Sequence, residues 1–377
     1  MGNASGPLSG VKVLEFAAIG PAPFCAMLLS DAGAEIIRID RKGAEARPKH
    51  QIQYRGRRSV ALDLKKPEAV EAALKLIKRA DALIEGFRPG VMERLSLGPD
   101  VALARNPRIV YGRMTGWGQT GPLANAAGHD INYLAMTGAL HMIGPKERPY
   151  IPANLIADYG GGAMYLAFGI LAALIHAQRT GEGQVVDAAM VDGTVHMMAQ
   201  IWGNLAGGVW KDERESNYTD GGAHFYNVYE CADGKFIALG AIEPQFYKLL
   251  LEKAGITAHA FDEQWERARW PELKSKLAAV IKRKTRDEWC AIMEGTDACF
   301  APVLTLSEVP QHPVHQARGN FVERDGITQP NPAPKFSKTP GAIQGGIASL
   351  GEHSETALAD WGFSPNEIAA LKSCGAL

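Results

Sequence analysis

The first third of the chain alternates short apolar runs with amphipathic segments, and this alternation narrows the folds open to it. Five runs of strand length are rich in Val, Ile, Leu and Phe: residues 11–16, 35–40, 59–64, 82–87 and 108–114. The clearest helical pattern between them spans residues 67–79. Strands that alternate with helices predict an α/β fold with a parallel sheet. Ligands of such sheets bind beyond the carboxyl ends of the strands, where we expect a site.

The chain after the first third predicts more of this large domain and then a smaller one. An apolar stretch at 160–175 predicts a buried core helix, and residues 184–190 predict a further strand. Residues 225–230 and 235–239 flank Asp233-Gly234, a good hairpin signal. Three helical patterns follow the hairpin, so this region predicts an α+β domain.

Local signals in the last third complete the predicted organisation. Thr285-Arg-Asp-Glu288 and Ser364-Pro365-Asn-Glu367 are capping boxes that begin helices. The proline-rich residues 311–345 predict an extended connection with little structure of its own. We therefore expect a large domain in residues 1–200, a small domain in 220–310, the connection at 311–345, and a final segment at 346–377.

Composition limits the class of protein. The 377 residues carry 40 Lys and Arg against 41 Asp and Glu, with 46% hydrophobic residues, which excludes intrinsic disorder, collagen and coiled coils. The chain is not basic overall, so we expect no nucleic-acid partner. Five cysteines without a CxxC pair fit a reducing compartment. We see no secretory signal and judge the stretch at 160–175 too short to span a bilayer, so we expect a cytoplasmic protein without a membrane partner.

One segment is strongly basic although the whole chain is not. Residues 38–66 contain ten basic and three acidic residues, a local excess of seven positive charges. The ten are Arg38, Arg41, Lys42, Arg47, Lys49, Arg55, Arg57, Arg58, Lys65 and Lys66. Three interpretations stay open: a solvated surface loop, a nucleic-acid patch with Tyr54 as its one aromatic residue, and a phosphate site built from arginines.

Residues that could carry chemistry follow the predicted fifth strand. Gly116-Trp-Gly-Gln-Thr-Gly-Pro122 is either an ordinary turn or a loop that lets backbone approach a ligand. His129 and Asp130 come next, and a single histidine beside a loop is more often a surface residue than a catalyst. Asp158 precedes the apolar helix. It is either an N-cap or a carboxyl group in a pocket, where burial favours its neutral form.

Common active-site motifs are missing either from the first strand-to-helix turn or from the whole sequence. The first strand-to-helix turn lacks G-x-G-x-x-G, which disfavours a nicotinamide cofactor. No G-x-S-x-G elbow and no Walker A motif occur, which argues against the standard hydrolases and nucleoside triphosphatases. The remaining histidines lack metal-ligand spacing, so we predict no metal site.

Longer motifs, in the same order and over nearly the whole chain, resemble CoA-transferase family III, the CaiB/BaiF superfamily. They are Pro7-Leu-Ser-Gly-Val-Lys-Val-Leu-Glu15, Ala34-Glu-Ile-Ile-Arg-Ile-Asp-Arg41, Arg57-Arg-Ser-Val-Ala-Leu-Asp-Leu-Lys65, Phe87-Arg-Pro-Gly-Val-Met-Glu-Arg94, Gly116-Trp-Gly-Gln-Thr-Gly-Pro122 and Gly362-Phe-Ser-Pro-Asn-Glu-Ile-Ala-Ala370. Within the superfamily the sequence is most similar to the racemases. Those enzymes have a His-Asp pair where His129 and Asp130 stand, and a glutamate where Glu243 stands.

The resemblance implies a fold and an assembly. Members of this superfamily are interlocked homodimers, in which each chain forms a ring threaded by its partner. Their large domain is Rossmann-like and built from both chain ends, which would return residues 346–377 to the domain of residues 1–200. The active site lies where the large domain of one subunit meets the small domain of the other.

The resemblance also implies an isomerase that interconverts (R)- and (S)-2-methylacyl-CoA thioesters by 1,1-proton transfer through an enolate. His129 would take the proton from the S epimer and Asp158 from the R epimer. Glu243 would orient His129, the backbone N–H of Asp130 would hold the enolate oxygen, and Tyr133 would support this group. The coenzyme A part of the substrate would be held or positioned by Arg41, Arg55, Leu62, Leu64, Lys65, Arg88 and Arg94. No metal or other cofactor is implied.

Two rival functions make different predictions. A CoA-transferase of the same superfamily would form an acyl-aspartyl anhydride on Asp158 and would need neither His129 nor Glu243. A non-catalytic acyl-CoA-binding protein would keep its arginines but tolerate replacement of Asp158. Branched fatty acyl chains, bile-acid side chains and arylpropionyl groups all stay open as the acyl group.

Overall fold

The computed structural model describes residues 5–45 and 47–377, which separate into two compact units. The first unit comprises the described parts of 5–137, 153–197 and 313–377, and the second comprises 138–152 and 198–312. Residues 138–152 were expected in the large domain but belong to the second unit, whose longer segment begins at 198 and not at 220.

Six strands form one parallel sheet in the first unit. They are β1 (Lys12–Phe16), β2 (Glu35–Arg41), β3 (Arg57–Leu62), β4 (Ala82–Glu85), β5 (Val110–Thr115) and β6 (Gln184–Ala189). Their order is β3-β2-β1-β4-β5-β6, so the α/β prediction is confirmed and each strand end lies within two residues of its expected place. The order changes direction between β1 and β4, and such a switch point leaves a crevice at the carboxyl ends of these strands.

The described residues of the two units also form helices. In chain order they are α1 (Pro21–Asp31), α2 (Pro67–Ile77), α3 (Val91–Arg94), α4 (Pro99–Arg105), α5 (Asp130–Thr137), α6 (Ala139–Met142), α7 (Tyr165–Thr180), α8 (Met190–Met197), α9 (Ala199–Ala206), α10 (Pro244–Lys253), α11 (Trp270–Ile281), α12 (Arg286–Met293), α13 (Pro313–Arg318), α14 (Ser354–Asp360) and α15 (Pro365–Ser373). Short 3-10 turns lie at Ile52–Tyr54, His259–Phe261, Arg267–Arg269 and Val309–Gln311. Both predicted capping boxes are present, at the starts of α12 and α15.

The core of the first unit joins the two ends of the chain. Leu14, Ile37 and Leu83 of the sheet are completely buried and share one cluster with α2. Trp361 and Leu358 from the C-terminal segment are in the same cluster and are also completely buried. The last residues of the chain are therefore part of the core that holds the sheet.

The proline-rich connection is more structured than predicted. Residues 313–318 form α13, and β10 (Phe321–Arg324) pairs antiparallel with β11 (Ile327–Pro330). Asp325 and Gly326 connect these strands with φ values of 53° and 74°, the left-handed conformation that a two-residue hairpin favours. The expectation of little structure is therefore wrong for 313–330, and it holds for 331–345, which contains no helix or strand.

The predicted apolar helix is longer and less buried than expected. A π-helical segment, Leu155–Met164, runs directly into α7, so that the helix spans 26 residues. By length and composition alone it could cross a bilayer, which corrects our estimate of its length, but half of its apolar window is buried inside the protein. Leu166 and Ile170 are buried, whereas Phe168 is 71% exposed. The helix therefore has one face in the core and one apolar face outside it.

The second unit contains a three-stranded antiparallel sheet. Its strands are β7 (Tyr226–Glu230), β8 (Phe236–Gly240) and β9 (Phe300–Pro302), in the order β7-β8-β9. The β7–β8 pair confirms the predicted hairpin. Ile237 and Leu239 pack in one core with Trp270 and Trp289 of α11 and α12. The predicted α+β character of this region is confirmed.

Candidate active site

A cavity of about 350 Å³ lies at the carboxyl ends of β1, β4 and β5 in the first unit. Its walls come from three loops that leave these strands, at 19–21, 86–89 and 114–117, and from the segment that precedes α5. This is the switch point of the sheet, where a ligand site is expected. His129, Asp158, Arg88 and Tyr133 all line this cavity.

His129 is exposed and immediately precedes α5. Its carbonyl oxygen accepts the N–H groups of Asn132 (2.8 Å) and Tyr133 (3.2 Å), and its own N–H donates to Oδ1 of Asn132 (3.0 Å). The backbone is thus fixed at the start of the helix. No hydrogen bond engages the imidazole within the described residues. The ring is consequently available to the cavity.

Tyr133 supports the loop that carries His129. Its hydroxyl donates to the carbonyl oxygen of Gly128 (2.5 Å), and its ring meets that of Trp117 edge-on at 4.8 Å. A Cβ atom on Gly116 or Gly128 would lie 2.2 or 2.8 Å from the ring, so both positions need glycine. Burial, and secondarily the charge of Asp158, raise the pKa of Tyr133. The hydroxyl is therefore kept as a donor.

Asp158 is half-buried within the π-helical segment that leads into α7. The N-cap interpretation is wrong, because the helical segment begins at Leu155 and Asn154 is the residue that precedes it. The Nδ2 group of Asn154 donates to Oδ2 of Asp158 at 3.2 Å. Burial is the main cause that raises the pKa of Asp158, and the neighbouring Asp130 raises it further, while Asn154 and His129 lower it. A carboxyl group in this state can exchange a proton closer to neutral pH than an exposed one.

A buried clamp positions the loop of Arg88, and the sequence analysis did not single it out. Glu85 ends β4 and is completely buried, with Oε1 accepting from Nε of Arg113 (2.8 Å) and Oε2 accepting the N–H of Phe87 (2.7 Å). Arg113 also donates to both carboxylate oxygens of Glu93. The sequence signal that could have revealed this clamp is that β4 and β5 each contain a single charged residue, Glu85 and Arg113. The clamp fixes the turn that brings Arg88 to the cavity.

The other residues predicted to bind coenzyme A have different environments. Arg41, at the end of β2, and Lys65, three residues beyond β3, are exposed. Leu64 is half-buried against the core, and Leu62 is 1% exposed within it, so the Leu62 side chain is not available to a ligand. Arg94 is exposed at the end of α3 and does not line the cavity.

Arg55 does not have the role expected from the sequence. It is 3% exposed, and its guanidinium binds both carboxylate oxygens of Asp31, at 3.2 and 2.5 Å. It also donates to Oε1 of Gln329 and to the carbonyl oxygen of Pro330, each at 2.8 Å. These bonds attach the β10–β11 hairpin to α1. The structure therefore assigns Arg55 to holding the fold, which corrects its prediction as a coenzyme A ligand.

Much of the basic segment is neutralised inside the first unit. Arg57 and Glu15 form a completely buried ion pair (3.0 Å), and Arg38 binds Asp40 (2.8 Å). Tyr54 is buried and therefore offers no ring for base stacking. The interpretation of the whole segment as a solvated loop is therefore wrong.

Glu243 lies in the second unit, where it immediately precedes α10 and is exposed. Burial raises the pKa of the Cys299 thiol, and the nearby Glu243 carboxylate raises it further. The predicted bond between Glu243 and His129 joins residues of the two units and stays a prediction. No group of three or more metal-binding side chains occurs in residues 5–45 and 47–377.

The first unit thus places an imidazole and a carboxyl group of raised pKa in one cavity. Because imidazole and carboxyl groups are the usual proton-transfer groups of enzymes, the cavity is equipped for acid–base chemistry on a bound molecule. The backbone N–H of Asp130 is the first of α5 and has no acceptor within the helix, so it can serve as a donor to an anionic oxygen.

Comparison with known proteins gives concordant findings. The model of the family described as CoA-transferase family III matches residues 8–354 of this chain. The chain is 46% identical to the α-methylacyl-CoA racemase of Mus musculus over 369 residues, and to that of Homo sapiens over 372 residues; each match covers 97% of this chain and 96% of the relative. The crystal structure of a CAIB/BAIF family protein from Brucella suis is similar with a TM-score of 0.80 at 26% identity, covering 95% of this chain and 100% of that chain.

Proposed function

The chain belongs to CoA-transferase family III, and from this membership we propose that it is an isomerase that interconverts (R)- and (S)-2-methylacyl-CoA thioesters. The observation that carries the proposal is the pair of proton-transfer groups, His129 and Asp158, on one cavity. The 46% identity to two α-methylacyl-CoA racemases over almost the whole chain supports it.

The reaction removes the proton at C2 and returns one on the opposite face. The C2 proton of a thioester is a very weak acid, so the enolate needs a hydrogen-bond donor already in place. The free N–H of Asp130 at the start of α5 supplies that donor. His129 removes the proton from the S epimer, while Asp158 in its protonated form delivers one to the other face.

The reverse direction uses the same two groups with the proton exchanged between them. Asp158 removes the proton from the R epimer and protonated His129 delivers one. Glu243 stabilises the imidazolium form of His129 by pairing with it. The active enzyme therefore holds one proton between His129 and Asp158, and it needs no metal and no cofactor besides the coenzyme A of its substrate.

Exposed cations at the carboxyl ends of the sheet strands bind the coenzyme A part of the substrate. Arg88 lines the cavity and is held there by the Glu85–Arg113 clamp. Arg41 and Lys65 are exposed beyond the carboxyl ends of β2 and β3. One guanidinium group can donate two parallel hydrogen bonds to phosphate oxygens, so arginines suit the diphosphate of coenzyme A.

We also propose that the protein is a homodimer. Apolar side chains are exposed at helical spacing on one side of the helix formed by the end of the π-helical segment and α7: Met164, Phe168, Leu171 and Ile175. In the second unit, α9 buries none of its residues and exposes Trp202 and Leu205. Exposed apolar patches of this kind are typical of interaction surfaces. Sedimentation velocity should give about twice the chain mass of 40.6 kDa, and a monomer at all concentrations would contradict the dimer.

Incubation with (S)-2-methylacyl-CoA in deuterated water tests the activity. We expect deuterium at C2 by NMR together with loss of optical purity, because the enolate is reprotonated from solvent-exchanged groups. A second sample contains added free carboxylic acids. Transfer of coenzyme A to those acids, without exchange at C2, would overturn the isomerase and favour a transferase that uses Asp158 as nucleophile.

A further inference from the structure

The carboxylate of Asp130 connects two helix starts that are far apart in the sequence. Asp130 is the first residue of α5 and is 5% exposed. Its Oδ2 accepts the backbone N–H groups of Ala157 (2.9 Å) and Asp158 (2.8 Å). The first N–H groups of a helix have no acceptors within it, so Asp130 caps the π-helical segment from a distance. The two backbone N–H groups that it caps are those of Ala157 and of Asp158 itself.

The second oxygen of this carboxylate has no partner. Oδ1 of Asp130 is buried and makes no hydrogen bond, and no ion pair with a cation involves Asp130 in the part of the chain that the structure describes. A buried carboxylate without a counter-charge is costly, so it requires an explanation, and a catalytic role is one. Within the described residues, the hydrogen bonds that this carboxylate accepts come from two backbone N–H groups.

We propose that the Asp130 carboxylate is a positioning residue that sets Asp158 against the backbone N–H that receives the enolate oxygen, and that keeps an unpaired negative charge beside Asp158. One residue thereby joins both parts of the chemistry, since its N–H begins α5 and its side chain holds the helix of Asp158. The inference rests on the proposed racemase function and deepens it.

The charge of Asp130 has a direct consequence for proton transfer. Burial and then Asp130 raise the pKa of Asp158, whereas Asn154 and His129 lower it. Tyr133 is the further titratable group beside this pair, and Arg88 is the cation on the same cavity. Removal of the charge on Asp130 therefore lowers the pKa of Asp158.

Charged groups on the other elements around the π-helical segment are engaged elsewhere. Asp192 of α8 lies near the like-charged Asp187 of β6, whose pKa is raised by burial and then by Asp192, and His196 of α8 hydrogen-bonds to the Tyr165 hydroxyl at 2.8 Å. Arg113 of β5 is bound in the clamp to Glu85 and Glu93. Asp130 is consequently the nearby carboxylate whose removal most directly changes Asp158.

The variant Asp130→Asn tests the proposal, because asparagine retains an acceptor for the two N–H groups but not the charge. The pH profile of kcat/KM should keep its bell shape, and its acidic limb should move to lower pH, since that limb reports Asp158. A more acidic Asp158 also holds the proton less often, so kcat/KM should fall in both directions by the same factor. That factor is about ten-fold for each unit that the pKa falls.

Two comparison variants separate this role from a purely structural one. Asp130→Ala removes charge and acceptor, so it should lose more activity and should also speed amide hydrogen exchange at Ala157 and Asp158. Asp192→Asn removes an exposed carboxylate from α8, which packs against the same segment, and should leave the pH profile and exchange unchanged. Binding of coenzyme A by all three variants reports whether they are folded.

The outcomes are distinguishable from failure of the proposed function. If the wild-type protein shows no exchange at C2, the isomerase itself is overturned. If the wild type is active but the pH profile of Asp130→Asn has the same acidic limb and the same kcat/KM as that of the wild type, the role of the charge is overturned. Unchanged amide exchange in Asp130→Ala would overturn the positioning role without any reference to activity.

Discussion

The basic residues of segment 38–66 have two contrasting environments in the first unit. Four are buried against carboxylates, in the pairs Arg38–Asp40, Arg55–Asp31, Arg57–Glu15 and Arg58–Glu35. Others, including Arg41, Lys49 and Lys65, are exposed in loops or at strand ends. The two groups have the same charge and are interleaved along the chain, but only one of them can reach a ligand.

The difference teaches how to interpret a charged run in an α/β domain. Strands inside a parallel sheet are buried on both faces, so an arginine in them needs a counter-charge. The local excess of seven positive charges is therefore partly internal. The cations that remain open to a ligand are the exposed ones beyond the carboxyl ends of the strands, and Arg88 lines the cavity itself.

The largest effect is expected from Arg57→Met, which breaks the fully buried pair with Glu15. A buried carboxylate without its partner should lower the free energy of unfolding by about 3–5 kcal/mol. Chemical denaturation measures it, and the double variant Arg57→Met/Glu15→Leu should recover much of the loss. Wild-type stability in the single variant would show that the pair is unimportant.

Arg55→Met is expected to cost less stability, about 1.5–3 kcal/mol from lost charged hydrogen bonds. Burial already raises the pKa of Asp31, so that group can take up a proton when Arg55 is removed. Denaturation midpoints and KM for acyl-CoA should be measured together. A large rise in KM at unchanged stability would return Arg55 to the coenzyme A site.

Arg88→Ala should impair substrate binding and leave stability almost unchanged, the opposite of what is expected for Arg55→Met. Loss of a phosphate-binding guanidinium should raise KM about ten-fold, equivalent to about 1.4 kcal/mol, while stability stays within about 0.5 kcal/mol because the side chain is exposed. Steady-state kinetics with Arg88→Lys as control tests this, since lysine keeps the charge. An unaltered KM in Arg88→Ala would remove Arg88 from the substrate site.

The smallest effects are expected from Arg41→Ala and Lys65→Ala. Each exposed cation should contribute about 0.2–1 kcal/mol to substrate binding, and the contribution should weaken with added salt. KM measured at low and high ionic strength shows whether the differences from wild type converge. Equal differences at both salt concentrations would argue against an electrostatic role.

The sequence predicts well what depends on local pattern. The strands, the β7–β8 hairpin and both capping boxes follow from periodicity and from hydrogen bonds between residues a few positions apart. The burial of Arg55 could not be foreseen, because its partner Gln329 is 274 residues away. The hairpin at 321–330 was not predicted, because the prolines around it favour an extended chain. The turn signal in this region is the pair Asp325-Gly326.

In the site, too, short motifs predict some residues, whereas contacts between distant residues are not predicted. His129 and Asp158 were identified by resemblance of motifs, and the structure brings both to one cavity. The cap that Asp130 provides to Asp158 spans 28 residues, and the Glu85–Arg113 clamp joins neighbouring strands. Such contacts depend on the packing of the sheet, which no short motif encodes.

The central claim is that His129 and Asp158 act on opposite faces of the same carbon. The most direct test follows C2 exchange of each separate epimer in deuterated water with His129→Ala and Asp158→Asn. We expect His129→Ala to exchange only the R epimer and Asp158→Asn only the S epimer, both without inversion, because one base remains in each variant. Racemisation by either variant, or loss of exchange from both epimers in a folded variant that binds coenzyme A, would contradict the two-base account.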